Sequence, residues 1–140
     1  MTHRRSIVGT MVMLAALASA LVASPAQASG GGCNDITQNG WHIGVCGSDN
    51  GVTMYPDYYI NAAPSWSGSC TSKSRVEIWQ NGAIVSYNSW ANAGCARGHY
   101  TRNGVSIAGR SSSLEFRTRV QISLNGSTVY NGLGPATRCC

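Results

Sequence analysis

Alternating apolar and polar positions identify the clearest element of the chain, a β-strand predicted over residues 114–124. Its apolar positions are Leu114, Phe116, Val120, Ile122 and Leu124, and the polar positions between them are Glu115, Arg117, Arg119, Gln121 and Ser123. Successive side chains of a strand point to opposite faces, so the pattern predicts one buried face and one solvated face.

Asn-Gly pairs punctuate the chain at six places and predict tight turns. They begin at Asn39, Asn50, Asn81, Asn103, Asn125 and Asn131. This dipeptide suits the two positive φ angles of a type I′ turn, which joins neighbouring antiparallel strands. The pair at Asn125 follows the strand above and predicts a hairpin that returns over residues 127–130. The pair at Asn81 predicts a second hairpin between residues 75–80 and 83–87.

The two hairpins resemble each other in sequence. Arg75, Val76, Ile78, Asn81, Gly82 and Val85 recur 44 positions later as Arg119, Val120, Ile122, Asn125, Gly126 and Val129, and Cys95 recurs as Cys139. An internal duplication and the shared pattern of any two amphipathic hairpins explain this equally well. Two similar hairpins favour a two-sheet sandwich in which each sheet receives one of them.

No stretch after residue 28 keeps a helical apolar period for three turns. The fold class predicted is therefore all-β, a small antiparallel sandwich built from Asn-Gly hairpins and stapled by disulfides. A barrel uses the same short alternating strands and tight turns, so it stays open as an alternative.

The N-terminal segment is typical of a secretory signal peptide over residues 1–28. Arg4 and Arg5 form a basic head, residues 7–22 are largely apolar, and Ala26-Gln27-Ala28 supplies small residues for cleavage. The apolar stretch is shorter than the roughly 20 residues of a spanning helix. We therefore expect a secreted, extracellular protein with one β domain over residues 29–140, a short flexible Gly-rich N-terminal arm and no membrane contact after cleavage.

All six cysteines follow the signal segment, and an even number in an exported chain indicates a disulfide framework. The register of the Asn81-Gly82 hairpin brings Cys70 near Cys95, the pair expected first. Hairpin register also places Cys33 opposite Cys46, but that bridge leaves the adjacent Cys139 and Cys140 only each other, which is a strained geometry. We therefore expect the terminal pair to bond Cys33 and Cys46 separately, with the pairing of these four left open.

Charge argues against nucleic acid as a partner. Removal of Arg4 and Arg5 leaves eight of the ten basic residues against five acidic ones, a net charge of +3. The eight are scattered along the sequence, whereas nucleic-acid binders usually concentrate a larger excess in one stripe. A solvated surface is the interpretation that these residues favour.

The sequence offers little catalytic chemistry, and we expect no enzyme, no cofactor and no metal. His42 alternates with apolar residues and is expected to face outward from a strand. His99, in a predicted loop between glycines, is the first candidate for catalysis, but no nucleophile motif accompanies it. Asp49-Asn50-Gly51 is similar to part of a calcium loop that lacks its remaining ligands.

Aromatic and basic residues supply the candidate partner-binding residues. Residues 54–66 are predicted to be loop-rich, and exposed rings there would stack on a glycan or join a protein interface. Residues 97–102 form a second predicted loop, whose arginines a secreted protease inhibitor would present. The candidates are Tyr55, Tyr58, Tyr59, Trp66, Arg97, His99, Tyr100 and Arg102.

Several segments together resemble a group of small secreted actinobacterial proteins. These are Gly40-Trp41-His42-Ile43-Gly44-Val45-Cys46, SDNGVTMYPDYYIN at 48–61, GCARGHY at 94–100 and the final ATRCC. Some proteins of this group resemble the adaptor subunit of umbrella toxin particles, which joins a lectin-like subunit to a long stalk protein. The resemblance implies a non-enzymatic adaptor in an extracellular complex, with other secreted proteins as partners.

Overall fold

Asn-Gly turns form three of the hairpins in the structure. This structure is a computed structural model, and it describes residues 30–138. Asn39, Asn81 and Asn125 have φ angles of 51°, 52° and 49°, and each is followed by a glycine that also has positive φ. These are the angles that a type I′ turn requires. The turns join the strand that ends at residue 38 to one that begins at 41, the strand that ends at 80 to one that begins at 83, and the strand that ends at 124 to one that begins at 127. The sequence predicts all three turns.

The regular secondary structure of the described residues consists of strands alone, with no helix. The strands are β1 (Gly30–Gln38), β2 (Trp41–Asp49), β3 (Thr53–Ala62), β4 (Cys70–Gln80), β5 (Ala83–Tyr87), β6 (Ala91–Ala93), β7 (Gly98–Thr101), β8 (Val105–Ser106), β9 (Glu115–Leu124), β10 (Ser127–Leu133) and β11 (Thr137–Arg138). Strand β1 includes the Gly-rich segment expected to form an arm.

Two open antiparallel sheets pack into a sandwich, which confirms the predicted fold class and removes the barrel alternative. Sheet A has the order β1-β2-β3-β7, with β8 also paired to β3. Sheet B has the order β10-β9-β4-β5, with β6 also paired to β4 and β11 to β9.

Both similar hairpins belong to sheet B, so the expectation of one hairpin in each sheet was wrong. Their first strands, β4 and β9, pair from Cys70 opposite Leu124 to Trp79 opposite Glu115. This register sets Glu77 opposite Arg117. The two polar faces thus meet on one side of the sheet, where opposite charges attract across the strands, and the two apolar faces point together into the core.

The core lies between the sheets and is built from alternating inward positions. Its larger cluster joins sheet A to sheet B through Trp41, Ile43, Val45, Tyr58, Ile60, Cys95, Val120, Ile122 and Tyr130. A second cluster consists of Met54, Val76, Ile78, Ile107 and Phe116. Full burial of one such aliphatic or aromatic side chain contributes about 1.5–3 kcal/mol.

A buried hydroxyl pair also links the two sheets. The hydroxyl of Tyr58 in β3 lies 2.7 Å from Ser72 Oγ in β4, and Ser72 Oγ donates to the Gly94 carbonyl at 2.6 Å. Burial raises the pKa of Tyr58 above its ordinary value, against the opposing effect of the Ser72 hydrogen bond. The phenol therefore stays neutral and keeps its polar atom satisfied inside the core.

Two disulfides join cysteines within residues 30–138, and one of them corrects the expected pairing. Cys70–Cys95 is present as predicted. Cys33 bonds Cys46, with a Cα–Cα distance of 4.0 Å, so the expectation that they bond the terminal cysteines was wrong. The reason is the β1–β2 register, which sets these two residues opposite each other. Bridges of this kind indicate an oxidising environment.

The other Asn-Gly pairs do not form two-residue hairpins. Asn131-Gly132 lies inside β10, where the ring of Tyr130 covers Gly132 so closely that any side chain there would collide with it. Gly104 packs against the Met54 carbonyl between β7 and β8. Asn50 precedes β3, and its Oδ1 accepts from the amide of Thr53 at 2.8 Å. A close approach explains the glycines of Asn103-Gly104 and Asn131-Gly132 better than hairpin geometry does, whereas Asn50-Gly51 lies in the three-residue connection of the β2–β3 hairpin.

The predicted signal peptide, residues 1–28, lies outside the described residues, as do Cys139 and Cys140. Across residues 30–138, no helix has the length and apolar character needed to cross a membrane.

Candidate functional site

Both segments predicted as loops with binding residues are mostly paired strands, although residues 63–66, 97 and 102 do lie in connections. Residues 53–62 form β3 and residues 98–101 form β7, and these strands pair with Tyr59 opposite His99. Tyr59, Asp57 and His99 face outward from sheet A, whereas Tyr58 points into the core. The loop prediction for residues 98–101 was based on the glycines and polar residues around them, which are typical of loops. These four residues nevertheless pair with β3 and extend sheet A.

Asp57 and His99 form a hydrogen-bonded pair on the outer face of sheet A. His99 Nε2 lies 2.5 Å from Asp57 Oδ1, and the Asp57 side chain is only 6% exposed. The His99 ring also stacks on Tyr59, with centroids 4.3 Å apart and planes 10° from parallel. Burial and the neighbouring Asp57 charge raise the pKa of Tyr59. With Nε2 engaged, Nδ1 is the ring nitrogen that could contact a ligand.

A shallow depression of about 470 Å³ lies beside this pair. It is lined by Tyr59, Ile60, Asn61, Arg97, Gly98 and His99. The lining combines an aromatic ring with amide, guanidinium and imidazole donors, a combination that suits a small polar group such as a sugar hydroxyl. Within the described part of the chain, no group of three or more His, Cys, Asp or Glu residues is arranged to hold a metal ion.

The remaining predicted site residues do not join this surface. Tyr100 stacks on Tyr58 inside the sandwich, with ring centroids 5.1 Å apart. The centroid of the Trp66 ring lies 5.5 Å from that of the fully buried Trp41 ring, and Trp66 is partly exposed. Arg102 lies over the Tyr100 ring at 6.0 Å, and Tyr55 is a half-buried residue of β3. The predicted set therefore divides between the outer face of sheet A, the core and the surface at Trp66.

An exposed apolar surface that was not predicted from the sequence lies along strand β5, and we call it the β5 edge (Ala83–Tyr87). All five of its residues are exposed, and β5 ends the strand order of sheet B. Ile84, Val85 and Tyr87 are 41%, 53% and 60% exposed, and they are three of the five large exposed apolar side chains of the described residues. The available signal was the run Ala-Ile-Val-Ser-Tyr, which lacks the alternation of a half-buried strand.

A second surface that the sequence analysis missed is the outer side of sheet B. Five of the eight basic residues that follow the signal segment lie there, although all eight are scattered along the sequence. This basic face consists of Lys73, Arg75, Arg117, Arg119 and Arg138. They are remote in sequence, but β4, β9 and β11 are neighbours in the sheet and their outward positions share one face.

Glu77 occupies the middle of the basic face and is almost completely buried, at 1% exposure of its side chain. Arg75 donates to its Oε1 from Nε at 3.1 Å and from Nη2 at 2.6 Å, and Arg119 donates to Oε2 at 3.0 Å. Burial by itself would raise the pKa of Glu77, but the hydrogen bonds from Arg119 and Arg75 outweigh it and leave the pKa below its ordinary value. Glu77 is therefore ionised and holds both guanidinium groups in place.

These features define a disulfide-stapled, two-sheet β-sandwich with one polar depression, one exposed apolar edge and one basic face. Comparison with known protein families, curated proteins and solved structures gave no match.

Proposed function

We propose that this protein is a non-enzymatic, secreted protein-interaction module, and specifically a small adaptor subunit of an extracellular complex of the antibacterial toxin type. The observation that carries the proposal is the β5 edge. Its unpaired backbone and its exposed Ile84, Val85 and Tyr87 lie on one strand. An exposed edge strand with apolar side chains is the surface to which a partner adds a strand of its own.

The rest of the fold supports a rigid docking scaffold. The Cys70–Cys95 disulfide and the two core clusters hold sheet B against the rest of the sandwich, so little conformational freedom is lost when a partner binds. The signal segment and the resemblance to adaptor proteins of umbrella toxin particles point to secreted partners, and the adaptor assignment depends on that resemblance.

Affinity purification of the tagged protein from the culture supernatant of its source organism tests this proposal. We expect it to elute in a particle far larger than the 14.7 kDa precursor, together with another secreted protein. Val85→Lys should abolish the association, because a charge would then stand on the edge. Val52→Lys is the matched control, since Val52 is 56% exposed but lies between β2 and β3. A lone monomer, or equal effects of the two variants, would refute the proposal.

Glycan binding is a second candidate function, favoured by the depression on sheet A. Tyr59 presents a ring there beside the Asn61 and Arg97 side chains, and sugar-binding sites combine an aromatic face with polar groups that fix orientation. A glycan array should then show binding that Tyr59→Ala removes. Unchanged binding in this variant, or no binding by the wild type, would count against this function.

A further inference from the structure

The acidic residues of the basic face are already fully engaged by arginines. Glu77 binds Arg75 and Arg119, and Glu115 accepts from Arg117 Nη2 at 2.9 Å and from Arg138 Nη2 at 3.0 Å. Two guanidinium groups therefore share each carboxylate, and each group of three residues keeps one excess positive charge. Because Glu77 is buried, the charge presented to a partner is positive.

Lys73 adds a further charge to this face. Its ammonium group lies 4.8 Å from the centroid of the Trp90 ring. Among residues 30–138, Lys73 makes no ion pair with an acidic side chain. Because an ammonium group has three hydrogen-bond donors, Lys73 can bind an anionic group of a partner without losing an ion pair within the protein.

The excess charge lies beside the β5 edge. The Arg75 guanidinium extends from β4 to within 4.2 Å of the Tyr87 ring centroid on β5, and it also lies 4.5 Å from the Trp90 ring. Trp90 is in the segment between β5 and β6. Lys73 lies opposite Asn92 of β6, which pairs with β4 on the same side as β5. A strand added to β5 and continued past Tyr87 along β6 would run beside both cations, about 4.8 Å beyond this side of the sheet.

We infer that the segment accepted by the β5 edge is an acidic strand, with Asp or Glu at alternate positions. Alternate side chains of an added strand lie on one face of the sheet, so its acidic residues would lie beside Arg75 and Lys73 while its backbone pairs with β5. A polysaccharide fits less well, because cations already lie against the Tyr87 and Trp90 rings and a strand edge is best satisfied by a peptide backbone. This inference rests on the proposed function, for which it specifies the chemistry of the partner.

Selection from a displayed library of random segments of about ten residues, the upper length of a common strand, tests the inference on the oxidised protein. We expect the enriched segments to carry Asp or Glu at alternate positions. Synthetic copies should bind Lys73→Glu at least tenfold more weakly than the wild type. They should also weaken when ionic strength rises from about 0.1 to about 1 M, which shortens the screening length from about 10 to about 3 Å.

Arg110→Glu is the matched control, because it makes the same change from basic to acidic at an exposed position between β8 and β9. It should leave peptide binding unchanged. Enriched segments without acidic residues, no enrichment at all, or equal losses in Lys73→Glu and Arg110→Glu would each overturn the inference. Binding of heparin with the same dependence on Lys73, in the absence of peptide enrichment, would assign the face to an anionic polysaccharide and also overturn it.

Failure of this inference can be told apart from failure of the proposed function. If Val85→Lys disrupts the native complex while Lys73→Glu leaves it intact, the protein docks through the β5 edge but its partner strand is not acidic. If neither variant affects the complex, the β5 edge is not the docking site.

Discussion

Replacement of Glu77 by glutamine removes the central negative charge of the basic face and changes the shape of the side chain very little. In the wild type, this carboxylate accepts from Arg75 and Arg119 and is 1% exposed. Glutamine keeps one acceptor oxygen but places an amide group where a guanidinium donates. The substitution therefore leaves two arginines close together without the charge that compensates them.

The expected loss of unfolding free energy is about 3 kcal/mol. Removal of one partner from a buried ion pair typically costs about 3–5 kcal/mol. The lower end applies here because the Arg75 and Arg119 side chains are 16% and 19% exposed and can regain some hydration. For a domain of this size, about 3 kcal/mol lowers the melting temperature by roughly 12 °C.

The effect should also depend on pH, because the pKa of Glu77 is lower in the folded protein than its ordinary value. Between the folded and the unfolded pKa, the unfolded chain binds more protons, so stability rises with pH across that interval. The contribution of Glu77 is fully present above its unfolded pKa and is lost as pH falls through the folded pKa. The difference between wild type and Glu77→Gln should accordingly be largest near neutral pH and shrink in strong acid.

Urea denaturation of both proteins at pH 7 and at about pH 2 measures these quantities, with urea chosen because it does not screen charge. Glu115→Gln is the control, since Glu115 is more exposed than Glu77 and its loss should be smaller. A loss below about 1 kcal/mol at pH 7 for Glu77→Gln, the median range of a surface pair, would refute the reasoning. An undiminished loss in acid would refute the assignment to the ionised carboxylate.

Three further substitutions test the fold. Gly104→Ala should lower the free energy of unfolding by about 1–3 kcal/mol in thermal or urea unfolding, because the new Cβ would lie 2.5 Å from the Met54 carbonyl oxygen. Gly94→Ala is the control, since a Cβ there meets nothing within 4 Å and should change stability little. Asn88→Ala should lower the free energy of unfolding by about 1–3 kcal/mol and speed hydrogen exchange at the Val76 amide, because that amide donates to Asn88 Oδ1 at 2.7 Å. Asn88→Asp keeps the acceptor oxygen, so the Val76 amide should stay protected from exchange. Replacement of both cysteines of the β1–β2 bridge by serine should cost about 2–4 kcal/mol, measured in the same way, and an unchanged urea midpoint would contradict that bridge's stabilising role.

Local patterns predicted the strands and hairpins well because those features are determined by neighbouring residues. The alternation over residues 114–124 placed the inward and outward faces of β9 correctly, and three Asn-Gly pairs form the expected turns. The same local geometry also gave Cys33 and Cys46 as partners. That pairing was set aside to give Cys139 and Cys140 partners, so an argument about distant residues displaced a correct local one.

The arrangement of strands and the candidate surfaces depend on long-range pairing, which one sequence does not encode locally. Nothing in the hairpin around Asn81 shows that β4 pairs with β9, and this contact alone gathers Lys73, Arg75, Arg117 and Arg119 on one face. For the same reason the sequence could not show that Asp57 would meet His99. The aromatic residues were recognised as important, but the choice between core and surface depends on which face of β3 each one occupies.

Both of these disulfides join residues that precede β9, so they can form before the sandwich is complete. Each bridge closes a short stretch of chain, with its cysteines 13 and 25 residues apart, and both lie before β9 in sequence. Strand β9 nevertheless lies inside sheet B, between β4 and β10, and it supplies Phe116, Val120 and Ile122 to the two core clusters. Short loops close quickly, whereas the pairing of distant strands is slow. A chain can therefore carry both of these bridges while sheet B is still incomplete, and their formation is no measure of how much of a preparation has folded.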